Sequence, residues 1–402
     1  MELIIDLPES KFNLPTLEAK TTCYNYFFQN FMNINKPCII RNITDGWESS
    51  KNWVKDGKPD FEYLTNKYGD CSVTVYKCNE KYFNSQKTFP SSFSDYIKYW
   101  KEFNRETQTL NYLKDWHLKL QHPEDNFYNV PVFFASDWLN EFLVDSQEDD
   151  YRFVYMGPQN TWLNELFSEK VKIYIHCFRT PFHSDVFSSF SWSANVCGQK
   201  RWLFFPPGEE NRFRDNLNNL PFDVGPHVEG SNCIEIIQNP GEAVFVPSCW
   251  YHQVYNLEDT ISINHNWING CNIHFVWKAL RENLLLVKKE IEDCKEMPNF
   301  IEHCQVMLKA SFGMDYLRFY DMLKYVASKR ILALRSKEKI TLFNGHIVGV
   351  NHMIFDLQAI QQVLSLFSIS EEVLRLEHFK NVNPSPVNLS EDLEKSLRGF
   401  CK

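Results

Sequence analysis

Thr180-Pro181-Phe182-His183-Ser184-Asp185 sets an imidazole and a carboxylate two positions apart. On an extended segment such residues point the same way, so His183 and Asp185 can face one point in space. Alone the pair is a weak motif. Its meaning depends on its flanks. Tyr151-Arg152-Phe153-Val154-Tyr155-Met156 stops at Gly157-Pro158, and Arg201-Trp202-Leu203-Phe204-Phe205 stops at Pro206-Pro207-Gly208. Glu242-Ala243-Val244-Phe245-Val246 stops at Pro247, and Thr260-Ile261-Ser262-Ile263-Asn264-His265-Asn266 alternates apolar and polar residues. Short strands bounded by Pro and Gly predict a β-barrel or sandwich over 131–270.

Outward from this core the pattern changes twice. Over 1–130, Lys36 to Arg41 and Ser72 to Tyr76 read as strands, and Ser91 to Trp100 as a helix with Ser92 as its cap. Over 271–402 the period becomes helical. Ile273, Val276, Trp277, Leu280, Leu284, Val287 and Ile291 form one stripe, with Glu282, Lys288 and Glu290 expected towards solvent. Further helices are predicted around Tyr320–Val326 and Ile354–Phe367, and a polar, frayed end after Asn381. The fold class is therefore α+β, a barrel with flanking helices and a C-terminal helical region.

The composition is globular: 44% hydrophobic, 23% charged and 15% aromatic over 402 residues. The net charge of -9 argues against a broad nucleic-acid footprint. None of the 12 cysteines forms a C-x-x-C pair, which gives no support to a zinc ribbon or thioredoxin motif. No run of about 18 apolar residues suggests a membrane span, and the start lacks a signal-peptide pattern. The expected setting is a reducing one, the cytoplasm or the nucleus.

His252, in Pro247-Ser248-Cys249-Trp250-Tyr251-His252, follows a strand that ends at proline. With His183 and Asp185 it would complete a face of two histidines and one carboxylate, a set that suits non-haem Fe(II) and leaves positions open. Read alone, His252 is a satisfied core or surface histidine. Lys200 opens the apolar strand in Gly198-Gln199-Lys200-Arg201-Trp202. Pointing into a barrel it needs an anion, such as a dicarboxylate; otherwise it snorkels to the rim. Ser262, Asn264 and Asn266 give one strand a polar face, which fits either a bound ligand with carboxylate and keto oxygens or solvent.

Together these stretches resemble the Jumonji-C oxygenases, and most nearly the subfamily called Jumonji domain-containing protein four. Tyr112 to Leu118, Ser136 to Phe142 and Ser189 to Gly198 fit that subfamily as well, so the likeness runs from about residue 25 past 330. The resemblance implies a double-stranded β-helix of the cupin-like, jelly-roll kind. It implies His183, Asp185 and His252 as iron ligands, Lys200 with Thr180 on the distal carboxylate of 2-oxoglutarate, and Asn264 and Asn266 lining the pocket. It implies Fe(II), 2-oxoglutarate and O2 as cofactors, with succinate, CO2 and a hydroxylated C–H bond as products. The implied partner is the translation release factor, hydroxylated on a lysine carbon, with no nucleic acid or membrane involved. An N-methyl-lysine demethylase would use the same iron site, and a non-catalytic cupin-like module would have lost part of it. One stretch departs from the subfamily: Leu163 to Arg179 intervenes between the Gly157-Pro158 turn and the His183 segment. It reads either as a lineage-specific loop or as a translated intron, extruded from the barrel in both cases.

Overall fold

The computed structural model describes residues 14–82, 85–104, 108–159 and 182–400. Twelve strands build the barrel region: β1 Thr16–Glu18, β2 Cys38–Arg41, β3 Ser72–Tyr82, β4 Ser85–Ser92, β5 Asn111–Trp116, β6 Arg152–Gly157, β7 Phe190–Cys197, β8 Lys200–Phe205, β9 Ile234–Gln238, β10 Ala243–Val246, β11 Tyr251–Asn256 and β12 Thr260–Trp267. Nine form one sheet in the order β1-β2-β10-β7-β12-β6-β5-β3-β4, and three form a second in the order β9-β8-β11. His183 adds a single antiparallel bridge to His252 at the β11 edge of the small sheet. Apart from the parallel β1–β2 pair, the neighbours in both sheets are antiparallel. Two such sheets face to face give the sandwich that the Pro- and Gly-bounded strands predict, in the jelly-roll form that the resemblance implies.

Alternation decides which face of each strand looks inward, and it does so in an unexpected sense. In β12 the apolar residues Ile261, Ile263 and Trp267 pack outward, into the core shared with Phe27, Trp47 and Phe134 of the flanking segments. The polar residues Ser262, Asn264 and Asn266 are the ones that look between the sheets. β7 follows the same rule: Asn264 pairs with Ser193 and Asn266 with Ser191, while Phe190, Trp192 and Ala194 join the outer core. The barrel interior closes with its own apolar cluster, which includes Trp202, Phe204, Val244, Val246 and Val254. Between β7 and β8 the chain reverses at Gly198, at a φ of 75°. A Cβ there would meet the Asp259 carbonyl oxygen at 2.2 Å, so only glycine fits the turn that delivers Lys200.

Seven helices matter to the argument: α1 Phe93–Glu102, α2 Trp138–Asp145, α3 Ile273–Glu290, α4 Phe300–Phe312, α5 Tyr316–Ser336, α6 Val350–Phe367 and α7 Pro386–Phe400. α1 is capped as predicted, Ser92 Oγ accepting from the Asp95 amide at 3.1 Å. The α3 stripe is buried from Ile273 to Val287. Lys288, expected towards solvent, instead ion-pairs with Glu372 at 2.5 Å. The end of the chain also differs from expectation. Residues 386–400 are helical, and Leu389 and Leu393 are buried in the same core as α6. Their i, i+4 spacing supplies an apolar stripe within a polar composition, enough for a helix that packs on one face. α2 is joined to the later helices by a buried ionic knot. Arg330 of α5 donates to both Glu141 oxygens at 3.0 Å and to Asp356 of α6 at 3.1 Å. Among the described residues no helix is long and apolar enough to cross a membrane.

Candidate metal centre and cosubstrate pocket

His252 sits on β11, in register with Phe204 of β8, and is 4% exposed. The turn before it is clamped by Asn35. The Asn35 side-chain amide bonds to the backbone of Ser248 at 2.9 and 3.0 Å, and the Asn35 backbone carbonyl accepts from Trp250 Nε1 at 3.0 Å. His252 Nδ1 lies 3.1 Å from the Trp250 carbonyl, an acceptor, so Nδ1 carries the proton and Nε2 keeps its lone pair for a metal. His183 reaches the same place through the bridge between the two backbones, its ring centroid 4.5 Å from that of His252.

Asp185 is not on a strand with His183, as the spacing alone predicts. The extended segment shrinks to one bridge residue, and Asp185 caps a 3-10 turn, Val186–Ser188. Other groups aim its carboxylate. Ser191 Oγ donates to Oδ2 at 2.7 Å and Asn266 Nδ2 to Oδ1 at 3.1 Å. The turn itself is strained, with Phe187 at φ 59° and Ser188 at φ 52°. Phe187 is buried in the helical core, against Gly313 and 5.6 Å from the Phe312 ring. The donor atoms of His183, Asp185 and His252 lie within 4.8 Å of one another. A first-row ion about 2.0–2.3 Å from each donor has room among them.

These side chains open onto a cavity of about 470 Å³ with walls from both sheets. Lys200 lies deep within it, 3% exposed, and donates to Ser262 Oγ at 2.5 Å. No carboxylate among the described residues pairs with it, and burial lowers its pKa to about 7. Asn264 Nδ2 also reaches Ser262 Oγ, at 3.2 Å. Ser193 Oγ, buried on the same wall, has no partner among the described residues. A buried cation without an anion and an unsatisfied hydroxyl beside three metal donors fit a small dicarboxylate that binds next to an iron ion.

A family model described as the cupin-like domain matches residues 24–272. The mouse 2-oxoglutarate and iron-dependent oxygenase JMJD4 is 42% identical over 93% of this chain and 89% of its own length. The human protein of that name is 39% identical over 93% and 89%, and the fruit-fly homologue 42% identical over 85% and 84%. The chain belongs to the JMJD4 family of oxygenases. Fe(II), 2-oxoglutarate and O2 are accordingly its cofactors. A more distant relative, at 34% identity over 80% of this chain and 71% of its own length, is the arginine-specific demethylase JMJ20 of Arabidopsis thaliana.

Of the residues singled out from the JMJD4-like motifs, His183, Asp185, Lys200, His252, Asn264 and Asn266 all line this cavity. Thr180 and the stretch from Leu163 to Arg179 lie outside the described residues. Sequence reasoning missed Ser191, Ser193, Tyr155 and Asp115, which line it too. The strict alternation of β7 and β6 could have flagged the first three. His265, one step from the polar face, turns the other way. It is buried and bonded to Tyr128 Oη at 2.8 Å, and burial drives its pKa down, so it stays neutral.

Proposed function

We propose that His183, Asp185 and His252 hold the iron and that Lys200, with Ser262, receives the distal carboxylate of 2-oxoglutarate. Iron and cosubstrate, when bound, activate O2 and deliver one oxygen atom to a C–H bond. The protein's part is positional: Trp250 fixes the His252 tautomer, Ser191 and Asn266 aim Asp185, and the buried walls limit water. The substrate on this reading is a lysine side chain of the translation release factor, hydroxylated on carbon in the cytoplasm, with termination promoted as a result.

The observation that carries the proposal is the meeting of three metal donors and one unpaired buried cation in a single cavity. The test is mass spectrometry of recombinant release factor after incubation with enzyme, Fe(II) and 2-oxoglutarate. One added oxygen on a lysine, lost when either cofactor is left out, is the expected result. An unmodified release factor with active enzyme would remove this substrate. The name of the Arabidopsis relative favours a second reading, demethylation, which would release formaldehyde from a methylated side chain in the same assay.

A further inference from the structure

The cavity wall carries a second carboxylate, that of Asp115, besides the one at Asp185. β5 pairs with β6 at Leu113↔Met156 and again at Trp116↔Val154. Three steps on β5 span two on β6, which makes a bulge containing Lys114 and Asp115. Asp115 has a φ of 56°, a left-handed conformation that Asp tolerates better than most residues. The bulge brings Asp115 onto the cavity wall, beside Tyr112 and Tyr155.

Two phenols hold the carboxylate. Tyr155 Oη donates to Oδ1 at 2.7 Å and Tyr76 Oη to Oδ2 at 2.9 Å. Burial, and then this carboxylate, raise the pKa of both phenols, so both remain donors. The neighbouring Lys114 ammonium sits 4.3 Å over the Tyr76 ring. Among the described residues no basic side chain forms an ion pair with Asp115; the phenols are its partners. The cavity that holds both Asp115 and the metal donors also has an apolar and aromatic lining, from Tyr151, Phe153, Tyr155, Trp202 and Val254. An ionised carboxylate is an acceptor only, and its remaining lone pairs call for a donor, best a charged one.

We infer that Asp115 is a specificity-determining residue that takes the positively charged head of the substrate side chain, with Tyr76 and Tyr155 as positioning residues. The aliphatic stem of that side chain lies along the aromatic wall and passes the metal. The inference rests on reading this cavity as the oxygenase site for a protein side chain, but not on which protein supplies it.

The test uses the full chain loaded with Mn(II) and 2-oxoglutarate, which stops turnover, and n-butylammonium as the probe, with n-butanol as its uncharged counterpart. Binding is followed by ligand-observed NMR titration. Wild-type protein binds the ammonium and much more weakly the alcohol, and Asp115→Asn loses about tenfold or more of the ammonium affinity. Tyr76→Phe, which removes one hydroxyl outside the cavity wall, loses a smaller part and serves if Asp115→Asn does not fold. Thermal melting with and without 2-oxoglutarate checks folding in each variant. Equal binding of the two probes, or ammonium affinity unchanged in a folded Asp115→Asn or Tyr76→Phe protein, overturns the inference. The release factor gives a separate arm, in which Asp115→Asn raises KM more than it lowers kcat. If wild-type protein binds n-butylammonium through Asp115 but leaves the release factor unmodified, the proposed substrate fails and this inference stands.

Discussion

Replacing Lys200 by methionine removes the charge and keeps an unbranched side chain of similar reach. Two effects of opposite sign follow. In the proposed complex with 2-oxoglutarate the ammonium would make a charge-assisted contact, worth about 1.5–3 kcal/mol. Its loss should raise the cosubstrate KM about 10- to 100-fold and leave iron affinity unchanged, since Lys200 touches none of the proposed ligands. Without cosubstrate the charge is a burden. Burial takes Lys200 from its ordinary 10.5 to about 7. For a lysine lowered on folding, the destabilisation is absent above pH 10.5, grows as the pH falls, and is complete below about 7. Its full size is on the order of 4–5 kcal/mol. Lys200→Met should therefore melt at a higher temperature than wild type when cosubstrate is absent, most clearly below pH 7, and should gain little from added 2-oxoglutarate. In the wild type, cosubstrate affinity should be greatest below about pH 7 and weaken above it, as the free enzyme's ammonium gives up its proton. Succinate assays and melting curves on both sides of that pH read all of this. A variant with wild-type KM and wild-type stabilisation by 2-oxoglutarate would refute the placement of Lys200 on the cosubstrate.

Asn266→Ala frees the Asp185 carboxylate from one of the two side-chain donors it has among the described residues. Metal titration should show about 10- to 100-fold weaker binding, the usual cost of losing an orienting group behind a ligand, and unchanged affinity would show that Ser191 suffices. Arg330→Met removes the buried guanidinium that Glu141 and Asp356 share, leaving Lys329 on Glu141 at 2.9 Å and His352 3.2 Å from Asp356; denaturant unfolding should record a loss of about 3–5 kcal/mol, and a loss below about 1 kcal/mol would mean that Lys329 and His352 suffice for the two carboxylates. Leu393→Ala opens a gap under α7 at a fully buried position and should cost about 2–5 kcal/mol. A neutral result there would return the chain's end to the frayed state that its composition suggests.

The candidate metal donors His183, Asp185 and His252, and Lys200 in the same cavity, were legible because each stands in a short motif with fixed spacing. The polar stripe Ser262, Asn264, Asn266 was legible because a strand alternates, although the direction was ambiguous: only the outer aromatic core decides that Ile261 and Ile263 turn away from the cavity. Asp115 was not legible. A bulge resets the alternation by one residue, and nothing in Tyr112-Leu113-Lys114-Asp115-Trp116 announces it. The groups that aim Asp185 were hidden for a related reason. The motif predicts one extended segment for His183 and Asp185, whereas a bridge residue followed by a 3-10 turn brings Ser191 and Asn266 to the carboxylate. The α7 stripe was hidden by its polar neighbours.

Phe187 lies two residues beyond Asp185 in a left-handed conformation, and its ring is lodged among the C-terminal helices. The loop that presents the carboxylate is thus moored outside the barrel. Warming that loosens α4 would release the mooring while both sheets are still intact, and the third donor would drift before the scaffold melts. Heat inactivation should accordingly precede loss of β-structure, and the enzyme's working temperature range would be set by a region that carries no catalytic chemistry.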